Sequence, residues 1–254
     1  MIRLPDHWNG GLVVAGPPGL REQYADDRII SDQILAKGYA YAATDKGNTG
    51  EEIYKDGERP GDAIMEWHRR FTEITVAAEK VTDRHYGRTP RFTYAAGLSA
   101  GGHPVRRQLE HRPDLYTGGL DWNALTFTTD GGLLKTLPPA LDALTPQTAF
   151  GDVYHRMVTD SGRGALHRYI TVPGGAHADG LVALDEEHLR PMPGNFTAAF
   201  ADLETWTRPT SGRQSRTAAS RSGPGWTSPR RTCPGIQEMP RTNWRPGHAF
   251  AYIQ

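Results

Sequence analysis

The chain has 254 residues, with 29 basic and 29 acidic side chains and a formal net charge of zero. That length is ample for one α/β domain with a real hydrophobic core. Taken whole, the balance excludes a strongly basic nucleic-acid binder and an acidic disordered chain. It is, however, the sum of two opposite blocks. Residues 208–254 hold eight arginines, no lysine and one acid, Glu238, giving +7 and leaving −7 on the rest. The basic block is dense in Pro, Ser, Thr and Gly and has too little apolar surface to offset chain entropy. The expected organisation is therefore a folded domain over 1–206 and a poorly ordered tail over 207–254.

No run of about 18 apolar residues is available to span a membrane. The start, Met1 to Trp8, lacks the apolar centre of a secretory signal. Cys233 is the lone cysteine, so it has no internal disulfide partner, and no Cys/His spacing suits zinc. As written, the chain reads as cytoplasmic, with secretion open to a longer N-terminus. No metal, nucleic-acid partner or membrane span is expected.

In chain order, Gly11–Gly16 is an apolar run closed by Pro17-Pro18-Gly19, which predicts a buried strand and a tight loop. A helix over about 31–37 should stop at Gly38. Tyr39–Ala43 predicts the next strand, with a loop at 44–48. The clearest helix runs from near Pro60 to His85–Gly87, where Ile64, Trp67, Phe71, Ile74, Ala78 and Val81 form one apolar stripe at steps of three and four. Arg91–Ala96 predicts a strand, followed by a Gly-rich turn and a helix to about His111. Thr117–Asp121 predicts another strand. Residues 123–146, with Pro138-Pro139, read as loop. A helix over about 147–160, a strand over 166–172 ending at Pro173-Gly174-Gly175, and a helix over 195–206 complete the domain. This strand–helix alternation predicts an α/β fold with a mainly parallel sheet flanked by helices.

Gly97-Leu98-Ser99-Ala100-Gly101 fits the pattern G-x-S-x-G between a strand and a helix. In such a nucleophile elbow, small neighbours make room for a sharp turn that lifts the serine hydroxyl above the sheet. A phosphate-binding loop does not fit, because neither G-x-x-x-x-G-K-[ST] nor G-x-G-x-x-G is present. A serine needs a base. His177, after a strand and beside Gly174-Gly175 and Gly180, stands in the right order for one. His103 is near Ser99 in sequence but lies on the following helix. The carboxylate that orients the base should fall between them in sequence, which favours Asp142 and leaves Asp121 in reserve. The oxyanion needs two backbone N–H donors. Ala100 offers one. The other should come from the loop after the first strand; Pro17 and Pro18 have no N–H, which leaves Gly16, Gly19 or Leu20, with Gly19 or Leu20 favoured.

These segments together resemble the α/β-hydrolase superfamily and, more narrowly, bacterial tannase-like and feruloyl-esterase-like serine esterases. The resemblance rests on Arg3–Gly10, Leu12–Gly19, Gly38–Asn48, Gly97–Gly102, Asp142–Pro146 and Gly174–Gly180, and spans about residues 1–206. It implies an α/β-hydrolase fold with Ser99 as nucleophile, His177 as base and Asp142 as acid. It also implies a small-molecule carboxylic ester as substrate, cleaved through an acyl-enzyme intermediate without a cofactor. Two departures stand out. The lid insertion between Asp121 and the acid is largely missing, and Pro138-Pro139 occupies the place of the strand that should deliver the acid. They motivate a competing expectation, a catalytically impaired scaffold that binds a ligand or partner in the same cleft.

Overall fold

The computed structural model describes residues 1–16, 28–45, 62–124, 151–177, 179–208 and 249–253. Seven strands form one sheet: β1 (Ile2–Arg3), β2 (Gly11–Gly16), β3 (Ala40–Ala43), β4 (Phe92–Leu98), β5 (Gly118–Trp122), β6 (His167–Ile170) and β7 (Ala249–Ile253). Their spatial order is β1-β3-β2-β4-β5-β7-β6. Every pairing is parallel except that of β1 with β3. This is the expected α/β architecture, with one short antiparallel edge strand that the sequence did not reveal.

Side chains alternate across the strands, so each strand feeds two layers. On one face, Val13, Ala15, Tyr94, Ala96 and Trp122 pack under α1 (Arg28–Ala36) and α5 (Pro193–Thr207) through Ile30, Ile34, Phe196, Phe200 and Leu203. On the other, Leu12, Val14 and Ala95 meet α2 (Asp62–Tyr86), α3 (Gly102–His111) and α4 (Gly151–Asp160) through Phe71, Ala78, Val105, Leu109 and Tyr154. All six residues of β2 are buried, as a strand covered on both faces requires. The C-terminal turn of α5 is docked by Glu204, which accepts hydrogen bonds from Tyr39 Oη at 2.5 Å and Lys37 Nζ at 2.6 Å.

Helix α2 forms as its periodicity predicts, but its buried edge is not the predicted stripe throughout. Trp67, Phe71 and Ala78 are buried, whereas Thr75 and Thr82 take the inner positions beside Ile74 and Val81. Val81 is 37% exposed. A threonine is acceptable inside when its hydroxyl is satisfied locally. Thr75 Oγ1 donates to Phe71 O at 2.8 Å and lies 2.6 Å from Tyr116 Oη. Gln108 Nε2 on α3 then donates to His68 O at 2.7 Å and Thr72 Oγ1 at 2.8 Å, tying α3 to α2.

The second difference lies at the far end of the chain. Residues 207–254 read as a poorly ordered tail, yet Ala249–Ile253 is an inner strand of the sheet, paired with β5 on one side and β6 on the other. The five residues Ala-Phe-Ala-Tyr-Ile are apolar throughout and suit such a position. Residues 209–248 and, of the expected loop at 123–146, residues 125–146 lie outside the described residues. Among the described residues, β6 joins the sheet only through β7. Ala251→Pro removes a ladder N–H from this two-sided strand. The expected outcome is a loss of about 3 kcal/mol or more, read from the urea midpoint.

Candidate functional site

The C-terminal ends of parallel strands are where an open α/β sheet presents loops to a ligand. Here β4 ends at Leu98, and Ser99 opens a short 3-10 turn, Ser99–Gly101, that runs directly into α3. The amide of Gly102 donates to Ser99 O. Ser99 has a φ of +57°, in the left-handed region. That region is costly for a residue with a side chain, on the order of 1–3 kcal/mol. The turn closes because its neighbours have no side chains to clash. A Cβ on Gly97 would lie 2.1 Å from Gly101 O, and a Cβ on Gly102 would lie 2.6 Å from Ala124 Cβ. Gly16, at the end of β2, approaches Gly101 so closely that a Cβ would sit 3.2 Å from its Cα. The motif Gly97–Gly101 is thus a tight strand-to-helix turn with the backbone geometry expected of an elbow, with Ser99 half-buried and Ala100 fully buried.

His177 is half-buried in the loop that follows β6. That loop is held by Gly175 N donating to Val172 O at 2.9 Å and by Arg190 N donating to Gly174 O at 2.8 Å. Gly174 has a φ of +78°, and a Cβ there would meet His188 O at 2.7 Å. The loop's last residues are reached by Asn123, immediately after β5, whose Nδ2 donates to Ala176 O at 3.2 Å and His177 O at 3.3 Å. Since β4 and β5 are in register at Leu98 and Trp122, Ser99 and Asn123 are the next residues on adjacent strands. The Ser99 turn and the His177 loop thus converge on the same end of the sheet.

Asp121 is fully buried one register step back from that edge, opposite Gly97. Its Oδ2 accepts a hydrogen bond from Arg106 Nε on α3 at 2.6 Å, and its Oδ1 has no hydrogen-bond partner among the described residues. Burial pushes the carboxyl up to about 7 against the opposing pull of Arg106. Arg106 is itself 3% exposed, and its guanidinium carbon lies 4.1 Å from the centre of the Tyr154 ring. Asp121 is therefore engaged beneath the elbow by an arginine and makes no hydrogen bond to His177. Asp142, Gly19 and Leu20 lie outside the described residues. His103 is buried on the first turn of α3, edge-on to Trp67. His155 and His167 face each other across α4 and β6, with Nδ1 atoms 3.0 Å apart. Asn123 and Arg106 were not singled out in the sequence. No local pattern marks either, because their roles come from strand register and helix packing.

Among the described residues, no group of three or more His, Cys, Asp or Glu could hold a metal ion, and no helix is long and apolar enough to cross a membrane.

The family described as tannase and feruloyl esterase matches residues 1–128. No curated protein sequence matches the chain. Among solved structures, the chain is similar to feruloyl esterase B from Aspergillus oryzae at 21% identity, covering 48% of this chain and 24% of that one, with a TM-score of 0.39. Tannin acyl hydrolase from Aspergillus niger is similar at 19% identity, with the same coverages and TM-score. Est1E from Butyrivibrio proteoclasticus, whose structure holds ferulic acid, is similar at 13% identity, covering 81% of this chain and 94% of that one, with a TM-score of 0.48. The chain thus spans about a quarter of the length of the two Aspergillus enzymes.

The Asp121 geometry has a pH signature. Its folded value of about 7 lies above the ordinary 3.8, so folding retains a proton that the unfolded chain releases. Stability from this source is fully present below about pH 4 and is lost as pH rises through about 7. Asp121→Asn cannot ionise. The difference in unfolding free energy between wild type and Asp121→Asn should therefore move against the wild type across this window, by up to about 1.4 kcal/mol per pH unit. Denaturant unfolding at pH 4, 5.5 and 7 measures it, and a pH-independent difference would refute it.

Proposed function

The chain belongs to the tannase and feruloyl esterase family, and from that premise we propose that it is a serine hydrolase of carboxylic esters. The observation that carries the reading is the left-handed Ser99 at a strand-to-helix turn, beside the loop of His177. Strained backbone at a strand-to-helix turn is a hallmark of functional turns. In this reading Ser99 Oγ attacks the ester carbonyl while His177 takes its proton. The collapsing intermediate expels the alcohol, which receives that proton from His177. Water, activated in turn by His177, releases the acyl group from Ser99. The amide of Ala100 and an amide from Gly19 or Leu20 hold the oxyanion. Asp142 orients the imidazole and supports its positive charge. The substrate class is a small ester that enters at the strand ends. The reaction needs no metal or organic cofactor, since every proton is carried by a side chain or water.

Ser99→Ala is expected to lower p-nitrophenyl acetate turnover on the order of 10⁶-fold and to abolish labelling by a fluorophosphonate probe. Wild type and variant hydrolysing at equal rates would refute the assignment. Folded wild type that takes no label would instead support the non-catalytic scaffold. For the acid, Asp142→Asn should lower kcat on the order of 10⁴-fold, whereas Asp121→Asn should leave kcat within a few-fold. The reverse pattern would transfer the role to Asp121.

A further inference from the structure

Ser99 and Asn123, at φ +57° and +48°, are the two non-glycine residues in the left-handed region among the described residues. They sit side by side, each one step past a register pair of neighbouring strands, Leu98 and Trp122. The elbow serine has its reason for that conformation. Asn123 has none from the turn alone, although asparagine tolerates it better than other residues with a side chain.

Asn123 carries a second cost. It is 1% exposed, and its Oδ1 has no hydrogen-bond partner among the described residues. Its orientation is nevertheless fixed. Nδ2 faces two carbonyl oxygens, of Ala176 and His177, and a flipped amide would set oxygen against both. A strained backbone and an unsatisfied buried acceptor kept at one residue call for a compensating role.

The sheet order supplies that role. His177 follows β6, the edge strand, and β7 lies between β6 and β5. Strands are about 4.8 Å apart, so the base loop must come back across roughly two strand spacings to reach the elbow beside β5. The backbone bonds at Gly174 and Gly175 fasten the loop at its β6 side. Asn123 fastens it at the β5 side. Ala124, the next residue, packs against the elbow at Gly102, so the tether and the nucleophile turn share one rigid support.

We propose that Asn123 is a positioning residue that holds the His177 loop in register with Ser99. The proposal rests on the esterase reading for its catalytic consequence, but its structural content can be read separately. Asn123→Asp and Asn123→Gly both keep a residue that accepts the left-handed backbone, and both lose the Nδ2 donor. Hydrogen exchange followed by mass spectrometry should show residues 174–177 exchanging at least about tenfold faster in both variants, with β4 and α3 unchanged. With p-nitrophenyl acetate, kcat should fall about 10- to 100-fold while KM stays within about twofold, as expected for a misplaced base. Unchanged exchange at 174–177, an unchanged kcat, or faster exchange spread equally over β4 and α3 would overturn the proposal. If the wild type shows no Ser99-dependent hydrolysis, the esterase reading fails by itself. The exchange comparison then decides the tether alone: faster exchange confined to 174–177 supports it, and unchanged exchange overturns it.

Discussion

A serine held at φ +57° between a strand and a helix is the constraint around which this fold is arranged. It demands that nothing with a side chain occupy the inside of the turn, and the sequence meets the demand at Gly97, Gly102 and Gly16. Those contacts lock three strands together at one level: Gly16 pairs with Gly97, and Gly97 pairs with Asp121. The level of the turn is thereby close to the level at which β2, β4 and β5 stop. Strain of about 1–3 kcal/mol at such a residue persists only where the surroundings over-determine it. Here the surroundings are the buried layers on both faces of the sheet.

Strand β5 transmits the elbow's position in three directions over three residues. Asp121 points into the α3 layer and grips Arg106. Trp122 points to the opposite layer and stacks on Phe196 of α5, with ring centres 5.9 Å apart. Asn123 leaves the strand and reaches the His177 loop. The first two follow from alternation along a strand. The Arg106–Asp121 pair is a costly way to fasten α3, because burying both charges removes their hydration. It has a geometric merit over an apolar contact: a hydrogen bond from Arg106 Nε fixes the register of α3 along β5. α3 begins at the elbow, so its register also sets the elbow.

Much of this was legible in the sequence where a pattern is local. The apolar run at Gly11–Gly16 read as a buried strand because both faces of a central parallel strand are covered, and Arg91–Ala96 read as the strand that the structure places at Phe92–Leu98. The elbow read as one because glycine spacing between strand and helix has few other uses. The illegible parts have a common physical cause: they depend on partners distant in sequence. Thr75 is buried because Tyr116 and the Phe71 carbonyl satisfy it, which no hydropathy pattern encodes. The left-handed Asn123 depends on a loop more than fifty residues away. Strand β7 was obscured differently. Ala249–Ile253 is a short apolar run inside an Arg- and Pro-rich block, and composition averaged over that block hides five residues that fit the sheet.

The position of β7 changes what the tail means for the site. The sequence suggests that the strand expected ahead of the acid is disrupted by Pro138-Pro139, which would leave β5 with an open edge. An open parallel edge there would expose unpaired N–H and C=O groups and leave β6 without support. Ala249–Ile253 closes that edge and carries β6 on its far side. The loop bearing His177 starts from β6, so it is placed beside β5 across a strand contributed by the last described residues of the chain. The site is therefore non-local in the strictest sense. The position of Ser99 is set by a turn of a few residues, while that of the His177 loop is set by a sheet that is continuous only when residues 249–253 have joined residues 118–122 and 167–170.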